Sequence, residues 1–329
     1  MPLDVTFRSE GADLSAWFYQ PLSVCPWPLV IMAHGFSATR QMVANAYAEV
    51  FWQQGMAVLL FDHRGFGASG GCPRRQINPW MQARGYLDAI AYASTLDGVD
   101  ASRIAVWGDS LSGGVALAVA GIDDRVACLV VQVPAIGFEP APADPDGALY
   151  RLFRETLIKG NIEPGPGDVL DPMPVVSDDQ VRRPSALQPL TAYRWFLEYG
   201  ARLGSTWEND VTRARPKTPA PWHPGLCARY VSCPALFVVA PQDEMAGAVP
   251  AVARGAYEHL GGPKEWLDVA GGHFGLLYVP SSEFDHASSA QARFLSGHLL
   301  ARRLNGRGRG GDSLAVSSSG AMNGTKHDH

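Results

Sequence analysis

Three side chains in this sequence have the types and the order that acyl chemistry needs: Ser110, Asp243 and His273. A serine hydroxyl attacks a carbonyl only when an imidazole takes its proton. The imidazole does this best when a carboxylate holds its other nitrogen and stabilises the imidazolium. Ser110 lies in Gly108-Asp109-Ser110-Leu111-Ser112-Gly113-Gly114, directly after the strand-like run Ile104 to Trp107 and at the start of a helix-competent stretch, 110–120. A serine on so sharp a strand-to-helix turn is raised above the sheet edge, and the residues two before and two after it must be small. Gly108 and Ser112 fill those places. Asp243 comes three residues past the apolar run 234–240, and His273 follows Gly271-Gly272 after the run 264–270.

Other readings of the same residues run into their context. Gly108-Asp109-Ser110-Leu111 also spells the motif of the GDSL esterases, and the four letters recur at 311–314. That family places its motif near the N-terminus and an Asp-x-x-His near the end, a pattern missing from this chain. Ser313 has no strand before it. Ser112 also fits small-x-Ser-x-small, but lies further from the strand end. Asp109 as a carboxylate nucleophile would be flanked by Trp107 and Leu111, too bulky for the turn. Of the other late histidines, His259 and His298 fall on helical patterns, His286 opens one, and His327 and His329 are close to the end.

The elements that must position these groups follow from hydrophobic pattern. Residues 3–9 and 14–20 alternate around Gly11 and predict an antiparallel hairpin. Continuous apolar runs at 28–34, 56–62, 103–108, 126–134 and 234–240 predict strands covered on both faces, and the strand rhythm carries on at 264–270. Helical patterns at 40–54, 76–95, 110–120, 247–260 and 285–303 alternate with them, which predicts a mostly parallel, doubly wound α/β sheet. The rhythm breaks at 135–225, a Pro-rich stretch with helical patches near 147–159, 188–203 and 206–213 and no convincing strand. The expected organisation is a catalytic core of 1–134 and 226–304, an inserted helical cap of 135–225, and a Gly/Ser-rich disordered tail of 305–329.

Several motifs together resemble the α/β-hydrolase superfamily over residues 15–134 and 230–303. They are His34-Gly35-Phe36 after the third strand-like run, "FDHRGFGASGG" at 61–71, the turn at Ser110, and "GGHF" at 271–274. Within that superfamily they resemble the X-Pro dipeptidyl-peptidase-like and dienelactone-hydrolase-like subgroup, and most of all the bacterial relatives of fungal polyketide transferases and thiohydrolases. The resemblance implies the α/β-hydrolase fold and an oxyanion hole made by the backbone N–H groups of Phe36 and Leu111. Two such donors aimed at a developing alkoxide are worth about 3 kcal/mol each. It also implies structural duties for His34, Asp62 and Arg64. Ser110 would be the nucleophile, His273 the general base and Asp243 its orienter. The expected activity is cleavage of an ester, thioester or activated amide through an acyl-enzyme, with acyl transfer and C–C cleavage as alternatives on the same core. A non-catalytic binding protein would be expected to have lost part of this set.

Composition sets the outer bounds. The chain has 329 residues, 47% hydrophobic and 18% charged, with a net charge of −5. It carries no basic stripe for nucleic acid and no apolar window long enough to cross a membrane. The N-terminus lacks a basic-then-apolar leader. Five scattered cysteines without a Cys-x-x-Cys pair read as reduced thiols of a cytoplasmic protein rather than a zinc site. No cofactor or metal is expected, and the partner is a small-molecule acyl substrate; oligomeric state is not legible. Trp195, Phe196, Trp207 and Trp222 in the cap could wall an apolar pocket or merely pack the cap, and a cap over the site favours a medium-sized acyl group.

Overall fold

Runs of Val, Leu and Ile are stable as strands only when both sheet faces are covered, and the chain covers them with helices on either side. The computed structural model describes residues 1–300. Its elements, in order, are β1 (Leu3–Ser9), β2 (Ala12–Tyr19), β3 (Trp27–Ala33), α1 (Ala44–Gln53), β4 (Ala57–Phe61), β5 (Gln76–Ile77), α2 (Pro79–Ala93) and β6 (Val99–Asp109). There follow α3 (Ser110–Ala120), β7 (Val126–Gln132), α4 (Ala148–Lys159), α5 (Leu190–Gly200), β8 (Thr212–Arg213), β9 (Ala235–Val239), α6 (Pro250–Glu258), β10 (Lys264–Asp268) and α7 (Ser282–Leu299). The tail predicted at 305–329 lies outside the described residues.

Eight strands form one sheet in the order β1-β2-β4-β3-β6-β7-β9-β10. The β1–β2 and β2–β4 pairs are antiparallel and every other pair is parallel. The mostly parallel, doubly wound sheet and the opening hairpin are as the pattern predicts. After β4 the chain crosses to the far side of β3 to lay down β6, so the winding reverses between β3 and β6. Loops at such a reversal splay apart above the carboxyl ends of the strands and leave a crevice. The loop after β3 carries Phe36 and the turn after β6 carries Ser110, so both border that crevice.

Alternate strand residues feed two cores. Leu29, Ile31 and Ala33 face one cluster with α2 and α3. Val30, Met32, Ala105 and Trp107 face another with α1 and α7. The inserted stretch divides between these faces. Phe153 and Leu157 of α4, together with Trp222, pack on the first cluster, where Trp222 meets Trp80 edge-on with ring centroids 5.0 Å apart. Ala192, Trp195, Phe196 and Tyr199 of α5 belong to the second.

Two local expectations are corrected. Residues 206–213 are not helical. Both amide atoms of the Asn209 side chain are spent on Val176, one on its N–H and one on its C=O, each at 3.0 Å. Thr212 N and Ala214 N donate to Arg75 O and Ile77 O, so β8 pairs in parallel with β5 as a second, two-stranded sheet. For the same reason the helix expected from 76 begins only at Pro79. Asn78 is its N-cap, accepting from Trp80 N at 3.2 Å and Met81 N at 3.4 Å. Its Nδ2 donates to Ile162 O at 2.9 Å, which ties the inserted stretch to the core.

Asn78→Ala should therefore lower unfolding free energy by about 2 kcal/mol, the upper end of cap losses, because a buried carbonyl also loses its donor. Asn78→Asp keeps the cap and should lose about half as much. Urea denaturation measures both; equal stabilities for the two variants would contradict this assignment.

Candidate active site

The turn at Ser110 is forced by contacts. A Cβ on Gly108 would lie 2.1 Å from Ser112 O, so the chain can fold back on itself only with glycine there. Ser110 itself sits at φ 52°, left-handed backbone that costs a non-glycine residue about 1–2 kcal/mol. Ala135 N donates to Ser110 O at 2.8 Å and helps to hold the turn. Strain of this kind at a half-buried serine beside a cavity points to function rather than packing.

The three residues singled out by type and order come together. His273 Nε2 is 3.0 Å from Ser110 Oγ, and His273 Nδ1 is 2.7 Å from Asp243 Oδ2. Both partners of the second pair are almost wholly buried, with side chains 3% and 1% exposed, which strengthens a charge-assisted bond. Met245 N donates to Asp243 Oδ1 at 2.9 Å and leaves Oδ2 for the ring. This arrangement can relay a proton from the hydroxyl to the imidazole while the carboxylate fixes the ring's tautomer.

Glu244, the next residue after Asp243, also faces the site. Its Oε2 accepts from His273 N at 2.8 Å, and its Oε1 accepts from Thr191 Oγ1 at the start of α5. Burial by itself would raise the Glu244 pKa, yet these bonds hold it below the usual value. A Cβ on Gly272 would strike Glu244 Oε2 at 2.2 Å, so the preceding glycine makes room for this strut. Two adjacent carboxylates thus divide the work, one on the His273 ring and one on its backbone.

A buried network lies under the turn. Ser112 Oγ donates to His34 O at 2.5 Å and accepts from His63 Nε2 at 2.8 Å. His63 N donates to His34 Nε2 at 3.3 Å, so the His34 proton is on Nδ1, which donates to Gly35 O at 3.0 Å. The serine at 112, where a glycine would satisfy the turn, joins the Ser110 turn to the loop bearing Phe36. Asp62 Oδ1 accepts from Arg40 N at 2.8 Å and Oδ2 from Ala68 N at 3.1 Å. Arg64 donates to Glu10 O and Cys72 O. His34, Asp62 and Arg64 hold loops in place.

A cavity over Ser110 and His273 is lined by Gly35, Phe36, Ala38, Asp109, Leu187, Trp195, Phe196, Met245, Phe274 and Leu277. The centre of a water-sized sphere can move through about 30 Å³ of it. Trp195 and Phe196 wall it, Trp207 backs Phe196 at 5.4 Å, and Trp222 is on the other sheet face. Leu111, the first residue of α3 after Ser110, has no intrahelical partner for its N–H. Burial pushes the Asp109 carboxyl up to about 7, against the pull of His273 and of the backbone N–H groups of Asp109 and Gly35. A wider apolar groove between residues 136–145 and α6, open to the centre of the same sphere over about 360 Å³, contains none of these paired groups. Among the described residues no cluster of His, Cys, Asp or Glu is arranged to hold a metal ion, and no helix is long and apolar enough to cross a membrane.

Burial lowers the His63 pKa well below its ordinary 6.5 and lowers that of His34 as well. The unfolded chain therefore binds more protons below pH 6.5, and stability present above that value is lost as pH falls. Unfolding free energy should drop between pH 7 and 5 with a mean slope that His63→Gln reduces by about 1 kcal/mol per pH unit. An unchanged slope in His63→Gln, read from urea titrations, would contradict a neutral buried His63.

Residues 25–221 match the family model described as "Serine aminopeptidase, S33" (Hydrolase_4). The quorum-quenching protein AidA of Acinetobacter baumannii is 32% identical over 89% of this chain and 94% of its own. A thiohydrolase of Eupenicillium brefeldianum is 28% identical over 89% of this chain and 94% of its own. The polyketide transferase GrgF of a Penicillium species is 30% identical over 90% of this chain and 96% of its own. The crystal structure of the α/β hydrolase GrgF superposes with a TM-score of 0.69 at 26% identity, covering 91% of this chain and 99% of that one. The fold and the resemblance to fungal thiohydrolases and polyketide transferases are therefore as expected, and the chain belongs to the Hydrolase_4 family of α/β-hydrolases.

Proposed function

We propose that this protein is a serine hydrolase that cleaves an ester or thioester through an acyl-enzyme, with Ser110, His273 and Asp243 as its catalytic triad. The observation that carries the reading is the continuous pair of bonds, Ser110 Oγ to His273 Nε2 at 3.0 Å and His273 Nδ1 to Asp243 Oδ2 at 2.7 Å. Ser110 Oγ bonds to the substrate carbonyl carbon as its proton passes to His273 Nε2. The carbonyl oxygen takes up the negative charge and is met by the N–H groups of Phe36 and Leu111. The carbon–oxygen or carbon–sulfur bond then breaks, and His273 returns the proton to the leaving group. Water, deprotonated by His273, releases the acid.

The apolar lining of the cavity supports an uncharged acyl group as substrate. With about 30 Å³ open to the centre of a water-sized sphere, the cavity supports short acyl chains over medium-sized ones. The relative named a thiohydrolase supports a thioester. We assign residues 135–225 a lid function only where α5 closes the site. A second reading, transfer of the acyl group to an alcohol or amine, is supported by the relative named a polyketide transferase. No cofactor enters either route, and the cytoplasm, where acyl thioesters form, suits both.

Steady-state kinetics on p-nitrophenyl acyl esters, acyl thioesters and aminoacyl-anilides of increasing chain length test the reading. Short esters or thioesters should turn over best, and Ser110→Ala should abolish turnover. Asp243→Asn should lower kcat by about 10⁴-fold, as expected when the imidazole loses its tautomer. Wild-type turnover in Ser110→Ala would move the nucleophile elsewhere.

A further inference from the structure

Asp109 is the letter of the Gly-Asp-Ser-Leu string that the triad does not use. An aspartate just before a helix ordinarily caps its first turn. Asp109 has the extended backbone of an N-cap, φ −108° and ψ 148°, yet its side chain makes no capping bond to α3. It is only 7% exposed, and its Oδ1 has no hydrogen-bond partner. Native proteins rarely leave a buried carboxyl oxygen in that condition without a functional reason.

Its position supplies the reason. Asp109 lines the cavity over Ser110, whose other walls are apolar apart from Ser110, His273 and Trp195. The Trp195 Nε1–H is already committed to Leu277 O at 2.8 Å. Asp109 Oδ2 and Ser110 Cβ both lie within 3.3 Å of the point where a Cβ on Gly35 would fall. The carboxyl therefore lies beside Ser110, on the wall of the cavity into which an acyl group bonded to Ser110 Oγ would extend.

Building on the reading of Ser110 as nucleophile, we propose that Asp109 is a specificity-determining residue that hydrogen-bonds an oxygen on the α- or β-carbon of the substrate's acyl chain. A hydroxyl there can donate to the carboxylate, and a hydroxyl or keto oxygen can accept from the protonated carboxyl. With its pKa raised to about 7 by burial, Asp109 offers both forms near neutral pH. A plain acyl chain leaves the carboxyl without that bond. A site made to pair with a substrate oxygen discriminates strongly against the analogue that lacks it.

The test compares N-acetylcysteamine thioesters of butanoic, 2-hydroxybutanoic and 3-hydroxybutanoic acids on wild type, Asp109→Leu and Asp109→Asn. Wild type should favour at least one hydroxyacyl thioester over butanoyl by about 10-fold or more in kcat/KM. Asp109→Leu should bring that ratio close to one, and Asp109→Asn, which keeps a donor and an acceptor, should retain most of it. If Asp109→Leu fails to fold, Asp109→Ala replaces it as the apolar variant. Equal kcat/KM for the three thioesters in wild type, or an undiminished ratio in the apolar variant, would overturn the inference. Labelling of wild type by a fluorophosphonate, mapped by peptide mass spectrometry, separates the two levels. An enzyme labelled at Ser110 but showing no preference refutes the role of Asp109 alone; an enzyme not labelled at Ser110 refutes both.

Discussion

The hydrogen bond between His273 Nε2 and Ser110 Oγ joins two loops 163 residues apart in the chain, and most of the architecture around the site serves to make it. It requires a serine lifted off the end of β6 and an imidazole delivered from beyond β10, with β7 and β9 between them in the sheet. The serine is lifted by a left-handed backbone that Gly108 makes room for. The imidazole is delivered by a loop clamped twice, at its ring by Asp243 and at its backbone by Glu244. Neither clamp would suffice singly, because a ring held without its backbone can swing, and a backbone held without its ring leaves the tautomer undecided.

The same logic extends outward by one layer. The Ser112–His63–His34 network ties the nucleophile turn to the loop after β3, so that the two backbone segments assigned to the oxyanion are not independent. Its histidines are neutral because burial makes charge costly there. On the other side, Thr191 links α5 to Glu244, and Trp195 links α5 to Leu277 O. The helix that walls the cavity is thereby coupled to the loop that carries His273. Any motion of α5 that widens the cavity must also strain the bonds that hold His273.

Much of this was legible in the sequence, for identifiable reasons. Parallel strands buried on both faces must be continuous apolar runs, so β3, β4, β6, β7 and β9 stood out, and their alternation with helical patterns implied the winding. Ser110, Asp243 and His273 could be picked by type because each follows a strand-like run in a fixed order. What escaped notice depends on partners distant in sequence. Residues 206–213 have a helical pattern locally, but Asn209 and β5 claim their hydrogen bonds. Glu244 beside Asp243 was a visible second carboxylate, yet only the fold shows that it reaches His273 N. Nothing in the neighbourhood of His63 marks it as the partner of Ser112, and Trp222 carries no sign that it packs on the sheet face away from the site.

The central claim is that Ser110 attacks while Phe36 and Leu111 receive the resulting oxyanion. A crystal structure of the protein after reaction with an alkyl fluorophosphonate examines both halves at once, since the tetrahedral phosphorus mimics the intermediate. The account predicts phosphorus bonded to Ser110 Oγ, with the phosphoryl oxygen within about 3.1 Å of the N atoms of Phe36 and Leu111. Phosphorus on any other residue, or a phosphoryl oxygen turned away from both N–H groups, would contradict it.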